Sequence, residues 1–327
     1  VIFLIINKLR FSKWIITHKN FFKSFNDKKF QKFKKNIYNY KLGWDKKSNY
    51  KGYDYSNKNK IFYSIDPMGF RKSNFKNKNN TISTFGDSYT FCRQVNDSQT
   101  WQEIISKNKN KFISNYGVGN YGLDQAFLKF NLQLSKKNIN EVIFGIVPET
   151  ICRVQSSWKN YLEFGNIHGF KPYCELINDK LFIRSNPLKK NTKLKNINKT
   201  INFTMNTDRF YKDKYLKYYF KFPYTISLIK NFTFNINVFF NFFIHKKSNF
   251  KQFDSKIFPI VMKKNIQLSH KLYQEKHSQL LLKKLFKKIN NKATKHKIKC
   301  HFVIFPQLFD LRLSTKKKLS TILQKFI

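Results

Sequence analysis

The sequence predicts an α/β protein built on a parallel sheet covered by helices. Short apolar runs that read as strands alternate with helical patterns across residues 81–147. Glycines gather where two of those runs end, in a chain that holds only 10 glycines, none of them after Gly169. A further apolar run, Cys300 to Phe305, returns late in the chain and supplies a fourth strand.

Taken in order, residues 1–40 are basic and aromatic, with Phe and Trp interleaved among Lys. They read as an N-terminal arm, either an amphipathic helix on a membrane surface or a partly ordered segment. Residues 41–80 are a turn-rich lead-in carrying Gly43-Trp44, Tyr50 to Tyr55 and Asp66-Pro67-Met68-Gly69-Phe70-Arg71, which predicts loops with short strands. The main domain is expected over 81–327. It opens with a strand at 81–86, followed by a helix at 99–107 announced by the capping residues Ser98 and Thr100. A strand at 111–116 leads through Gly117 to Gly122 into a helix. There Leu123, Ala126, Phe127, Phe130 and Leu134 recur at i, i+3, i+4, i+7 and i+11, one apolar face. Val142 to Val147 reads as a strand buried on both sides.

After that third strand, residues of about 150–265 form a large insertion, irregular, with a short strand within Leu181 to Pro187. Residues 231–244 are aromatic but interrupted by Asn, and read as a buried or lid helix rather than a membrane span. A helix over 266–290 turns Leu282, Leu285, Phe286 and Ile289 to one face. Cys300 to Phe305 is predicted as a buried strand closed by Pro306, and Leu311 to Ile327 as the start of one more helix.

Composition bounds the partners. The formal charge of +46 would ordinarily direct attention to nucleic acid or anionic lipid. The lysines, however, are spread over nearly every element, and Lys, Asn, Ile, Phe and Tyr crowd the whole chain, the mark of drift toward AT-rich codons. No RNA-binding or helix-turn-helix signature occurs, so nucleic acid is not the expected partner. Contact of the basic N-terminus with a membrane surface stays open, and with it a cytoplasmic or a membrane-associated location. The four cysteines, Cys92, Cys152, Cys174 and Cys300, have no zinc-ligand spacing, and neither metal nor cofactor is expected. The chain opens on Val rather than Met, and a trimmed start is expected.

In parallel sheets ligands bind beyond the carboxyl ends of the strands. Gly86-Asp87-Ser88, Gly117 to Gly122 and Pro148-Glu149 all fall there. A serine on a strand-to-helix turn holds its hydroxyl at the open end of the sheet, where neighbouring N–H groups can face a developing oxyanion. The bland alternative is a plain turn, since Gly, Asp and Ser are all turn formers.

Together, Phe85-Gly86-Asp87-Ser88-Tyr89-Thr90-Phe91 and Asn115-Tyr116-Gly117-Val118-Gly119-Asn120-Tyr121-Gly122 resemble the SGNH, or GDSL, hydrolase family. Asp66-x-x-Gly69-Phe-Arg71, Thr100-Trp101 and Pro148-Glu149-x-x-x-Arg153 extend the likeness to a bacterial subgroup, over roughly residues 40–190 and 298–310. The resemblance implies a three-layer α/β/α, flavodoxin-like fold and a serine esterase or acyl hydrolase, with acylated carbohydrate as a substrate class. By that analogy Ser88 is the nucleophile and its N–H one oxyanion donor. The second donor is the N–H of Asn120, with Gly122 the nearest glycine. Asp87 fixes the turn, while Glu149 and Arg153 line the site.

Two departures stand out. The third block of the family ends in Gly-x-Asn-Asp, where this chain has Pro148-Glu149-Thr150, and Arg153 is the candidate to replace the lost donor. The family's Asp-x-x-His, bearing the general base, does not occur after residue 190. His270, His277, His296 and His301 are poor substitutes, Asp310 is the nearest downstream acid, and the chain is expected to stop before its base. A non-catalytic scaffold or carbohydrate-binding protein is the alternative reading.

Overall fold

The structure, a computed structural model, describes residues 25–54, 60–75, 81–136, 139–244 and 250–314. Helix α1 (Asp27–Asn36) starts at Asn26, whose side chain accepts the Lys29 N–H, and it buries Phe30 and Phe33. Both rings belong to the same apolar cluster as the sheet residue Phe85, so this part of the expected arm is packed into the core. Most of the arm, residues 1–24, lies outside the described residues, and the membrane-surface reading of it with them. The lead-in holds two antiparallel pairs, β1 (Tyr38–Asn39) with β2 (Gly43–Trp44) and β3 (Lys51–Asp54) with β4 (Ile61–Ser64).

The alternating region follows. Strand β5 (Thr81–Gly86) runs into the short helix α2 (Ser88–Phe91), then α3 (Trp101–Lys109), β6 (Phe112–Asn115), α4 (Leu123–Leu134) and β7 (Glu141–Ile146). Thr100 caps α3 by accepting the Glu103 N–H at 3.2 Å. The insertion begins with α5 (Thr150–Arg153). The hairpin β8 (Tyr173–Ile177) and β9 (Lys180–Arg184) stands where one short strand was expected, turning on Asn178 and Asp179, both at positive φ. Helices α6 (Ile197–Thr207), α7 (Arg209–Asp213), α8 (Tyr224–Lys230) and α9 (Phe232–Ile244) come next. Helix α9 buries one face only: Phe234, Val238 and Phe239 are inside, whereas Phe232, Ile236, Phe240 and Phe243 are exposed.

The predicted helix over 266–290 is two. Helix α10 (Phe250–Leu272) ends before a turn in which Gln274 and Glu275 donate to the Lys271 and Leu272 carbonyls, and α11 (Lys276–Lys295) begins after it. Leu282, Leu285 and Ile289 are buried on α11. Strand β10 (Lys299–Ile304) and helix α12 (Leu308–Ser314) close the described chain. No helix among the described residues is long and apolar enough to cross a membrane.

Strands β5, β6, β7 and β10 form one parallel sheet in the order β10-β7-β5-β6. Successive side chains on a strand point to opposite faces, and β5 shows what covers each. Phe85 packs on Phe130 of α4, while Thr84 accepts from Gln102 of α3. Phe144 of β7 lies beside Phe85 and Phe302 of β10, and Phe302 meets Phe286 of α11. Helices α4 and α11 therefore share one face and α3 takes the other. Strand β10 corrects one expectation: no residue in it is fully buried, because among the described residues it pairs on one side only.

The insertion is tied to this frame by Lys171. Its ammonium, 2% exposed, reaches Asp124 Oδ2 of α4 at 2.6 Å and the carbonyls of Arg153, Ser156 and Pro172 at 2.9, 3.1 and 2.6 Å. A buried charge is tolerated only with such compensation.

Candidate functional site

The turn after β5 is built by close approach. A Cβ on Gly86 would stand 2.0 Å from the Gly145 carbonyl oxygen, so only glycine lets β5 and β7 converge there. Asp87 then acts as N-cap of α2: Oδ1 accepts the Tyr89 N–H at 2.9 Å, and Oδ2 accepts the Val147 N–H at 3.1 Å. One carboxylate thus pins the Ser88 turn to the end of the neighbouring strand. Ser88, half-buried, is the first residue of α2. It sits where the chain leaves β5 toward β6 while β7 lies on the other side, the position at which an open parallel sheet forms its crevice. Among the described residues nothing hydrogen-bonds the Ser88 hydroxyl.

Helix α2 is held from its far end by Arg71, 2% exposed. The guanidinium donates to the carbonyls of Phe91, Cys92 and Val95 at 2.7, 2.8 and 2.5 Å, and Nε pairs with Asp97 at 2.6 Å. The Asp-x-x-Gly-Phe-Arg stretch is therefore a brace: it satisfies carbonyls at the end of a one-turn helix that the helix itself leaves open. Thr90 adds a bond to the Gly145 carbonyl at 3.1 Å.

The second glycine loop meets this turn directly. Val118 N–H donates to the Gly86 carbonyl at 2.9 Å, and Asn115 Oδ1 accepts the Gly117 N–H at 3.0 Å. Asn120 adopts φ 69°, a left-handed conformation that Asn tolerates better than most residues. Gly122 is the N-cap of α4, and its N–H donates to Gln125 Oε1 at 3.3 Å. Of the two donor positions read from the sequence, Gly122 is thus already engaged. The N–H groups of Ser88 and Asn120 have no hydrogen-bond partner among the described residues.

The third strand end is ionic and closed. Arg153 donates to Glu149 Oε2 at 2.9 Å and to the Tyr121 carbonyl at 3.1 Å, with Asp87 Oδ2 at 3.6 Å. All three charged side chains are buried. Burial pushes the Asp87 carboxyl upward against the pull of Arg153. For Arg153 burial acts downward, but Glu149 and Asp87 outweigh it and hold the guanidinium above its ordinary value. Arg153 links the ends of three strands; among the described residues its Nε has no partner.

A histidine–carboxylate pair lies at this end as well. His270 Nε2, on the last turn of α10, is 2.8 Å from Asp310 Oδ1 on α12, and Asp310 Oδ2 accepts the Gln307 N–H at 2.9 Å. Helix α10 is docked here by Tyr273, whose hydroxyl donates to the Pro148 carbonyl at 2.9 Å. Burial raises the Tyr89 phenol, and the charges of Asp87 and Asp310 add to that. His301 instead faces Glu141, the first residue of β7, at 2.9 Å. Forty residues separate His270 from Asp310, and no spacing rule links them. Among the described residues no group of three His, Cys, Asp or Glu side chains could hold a metal.

Beside the turn lies a cavity of about 440 Å³, walled by Trp44, Lys46, Asp54, Arg93, Asn120 and His168 among others. Sequence reasoning had not joined Lys46, Arg93 or His168 to the site. The one available signal was Arg93, five residues past Ser88. In comparisons with known proteins, no family model and no curated protein matches the chain.

Proposed function

We propose that the chain is an SGNH/GDSL-type hydrolase, with the three-layer, flavodoxin-like fold of that family, that cleaves esters through Ser88. The sheet order, second–first–third–fourth by sequence, is the flavodoxin-like order, and helices lie on both faces. The observation that carries the reading is that, among the described residues, the Ser88 hydroxyl and the N–H groups of Ser88 and Asn120 have no partner, on two loops joined by the Val118 N–H donating to the Gly86 carbonyl at 2.9 Å. In the reaction Ser88 Oγ attacks the acyl carbonyl carbon and loses its proton to a base. The two N–H groups stabilise the oxyanion, the alcohol leaves with a proton, and water releases the acyl group from Oγ. Each N–H supplies on the order of 10²–10³ in rate when it is one of the oxyanion donors.

The test is hydrolysis of p-nitrophenyl acetate. Ser88→Ala is expected to lower kcat/KM by about 10³-fold or more; a variant as active as the parent removes Ser88 from the mechanism. His270, oriented by Asp310, is the candidate base among the described residues. His270→Asn with a loss comparable to Ser88→Ala assigns the base there. A loss within about tenfold assigns the pair to holding α10 against α12.

A second reading rests on Glu149. Its carboxylate is taken up by Arg153 and, when ionised, donates nothing to an oxyanion. A binding protein on this scaffold would bind the same ligands, with the same affinity, after Ser88→Ala, and would never turn them over.

A further inference from the structure

We propose that the exposed apolar side of α8 and α9 is a seat for an anionic lipid bilayer, on which the protein lies without crossing it. The inference is independent of Ser88 and of the hydrolase reading. It starts from α9, which is apolar on two sides. Phe234, Val238 and Phe239 are buried, whereas Phe232, Ile236, Phe240 and Phe243 recur at i, i+4, i+8 and i+11 along the exposed side. Helix α8 adds Ile226 and Ile229, three apart, and Phe222 just before it is 86% exposed. Asn235 ties the two helices together, its Nδ2 donating to the Ser227 and Leu228 carbonyls at 3.1 Å each. Single apolar residues on a surface need no partner, but a grouped set marks a contact surface.

The asparagines of α9 do little to make this side polar. Asn237 Nδ2 donates to the Thr233 carbonyl at 2.7 Å, and Asn241 Nδ2 to the Asn237 carbonyl at 2.8 Å, so those donors are spent within the helix. With 13 residues α9 is about 20 Å long, short of the roughly 30 Å of a hydrocarbon core. Such a helix rests in the interface with its apolar side down.

Charge says what covers the surface. From 214 to 253 the sequence holds no acidic residue. Beside α8 a cleft of about 590 Å³ is lined by Lys217, Lys221 and Lys230 together with Phe222 and Ile226, and no carboxylate lines it among the described residues. Nor is any of these three ammoniums in an ion pair or a side-chain hydrogen bond there. Lysines set among exposed Phe and Ile match a surface that is anionic at the headgroups and apolar beneath them, each lysine stem lying along the apolar zone with its head in the phosphates. A second copy of the chain would bring lysine against lysine. Residues 1–24 would do the same, since they carry Lys8, Arg10, Lys13, Lys19 and Lys23 and no acid. A nucleic acid would answer the lysines and leave the isoleucines in water.

The experiment is co-sedimentation of the full chain with vesicles of mixed phosphatidylcholine and phosphatidylglycerol, read together with amide hydrogen exchange. The expected result is adsorption that weakens with salt, with slowed exchange across residues 222–244. Replacing the three cleft lysines together (Lys217→Gln, Lys221→Gln, Lys230→Gln) should lower the partition coefficient about 10²-fold. Ile229→Ser with Phe240→Ser should lower it about tenfold or more. All five side chains are exposed, so the thermal midpoint should hold and separate lost adsorption from unfolding. The proposal is overturned if the parent does not adsorb, or if it adsorbs with exchange across 222–244 unchanged, as it would through its N-terminus alone. It is equally overturned if both variants adsorb like the parent. A DNA duplex that slows exchange over 222–244 where vesicles do not, or a lipid-free dimer that already protects those amides, gives the surface to that other occupant and overturns it too.

Discussion

At the scale of single residues, Arg153 is the side chain on which most of the site's electrostatics converge. It answers two buried carboxylates, Asp87 and Glu149. Arg153→Met is expected to cost about 3–5 kcal/mol in urea unfolding, because both carboxylates would stay buried without a partner. A loss under about 1 kcal/mol would mean the cluster is open to water. His168 gives a pH signature. Burial, helped by the charge of Lys29, lowers its imidazole to about 4 from an ordinary 6.5. The unfolded chain therefore binds the proton more readily, and this contribution to stability, complete above about 6.5, is lost as pH falls toward 4. His168→Phe should flatten the stability profile between those values in denaturant titrations. An unchanged slope would show that the ring titrates normally. The Gly86-Asp87-Ser88 turn and the loop at Asn120 were legible because turn chemistry is local. Lys171–Asp124 and His270–Asp310 were not, because each joins residues 40 or more apart that only the packed fold brings together.

At the scale of elements, α2 has one turn, and Arg71 completes the hydrogen bonds that its C-terminal end leaves open. Arg71→Met removes donors from the Phe91, Cys92 and Val95 carbonyls while sparing Ser88 itself. It should lower kcat for p-nitrophenyl acetate more than it raises KM, since the carbonyl attacked must meet a fixed hydroxyl. A variant with parental kcat and a normal melting profile would show that α2 needs no such support. Strands β5, β6 and β7 and helices α3 and α4 were visible in the sequence, since each repeats its apolar residues at the period of its own geometry. The β8–β9 hairpin was half seen, because its turn relies on Asn178-Asp179 without glycine. The break between α10 and α11 carries no Pro or Gly, and its position is set by what the two helices pack against. The exposure of β10 follows from sheet order, which no local pattern encodes.

At the scale of the whole molecule, a formal charge of +46 sets a long-range repulsion against a compact fold. Raising ionic strength from about 0.01 M to about 0.15 M shortens the screening length from about 30 to about 8 Å. The thermal midpoint should rise over that range by differential scanning fluorimetry, in the parent and in Ser88→Ala alike. A flat response would mean that the lysines are already neutralised in pairs or by bound anions. The insertion, for its part, shares the apolar cluster of the sheet, as Trp158, Phe170 and Ile201 join Phe85 and Phe144.

The ammonium of Lys171 has an evolutionary corollary. It acts as a rivet whose head lies in the insertion and whose shank ends on Asp124 of α4. A lineage that deleted residues 150–265, or exchanged them for a shorter crossover, would strand an acid in the dry interior. Deletion and a change at position 124 must therefore arrive together. Any homologous chain with a trimmed crossover should carry an uncharged residue there.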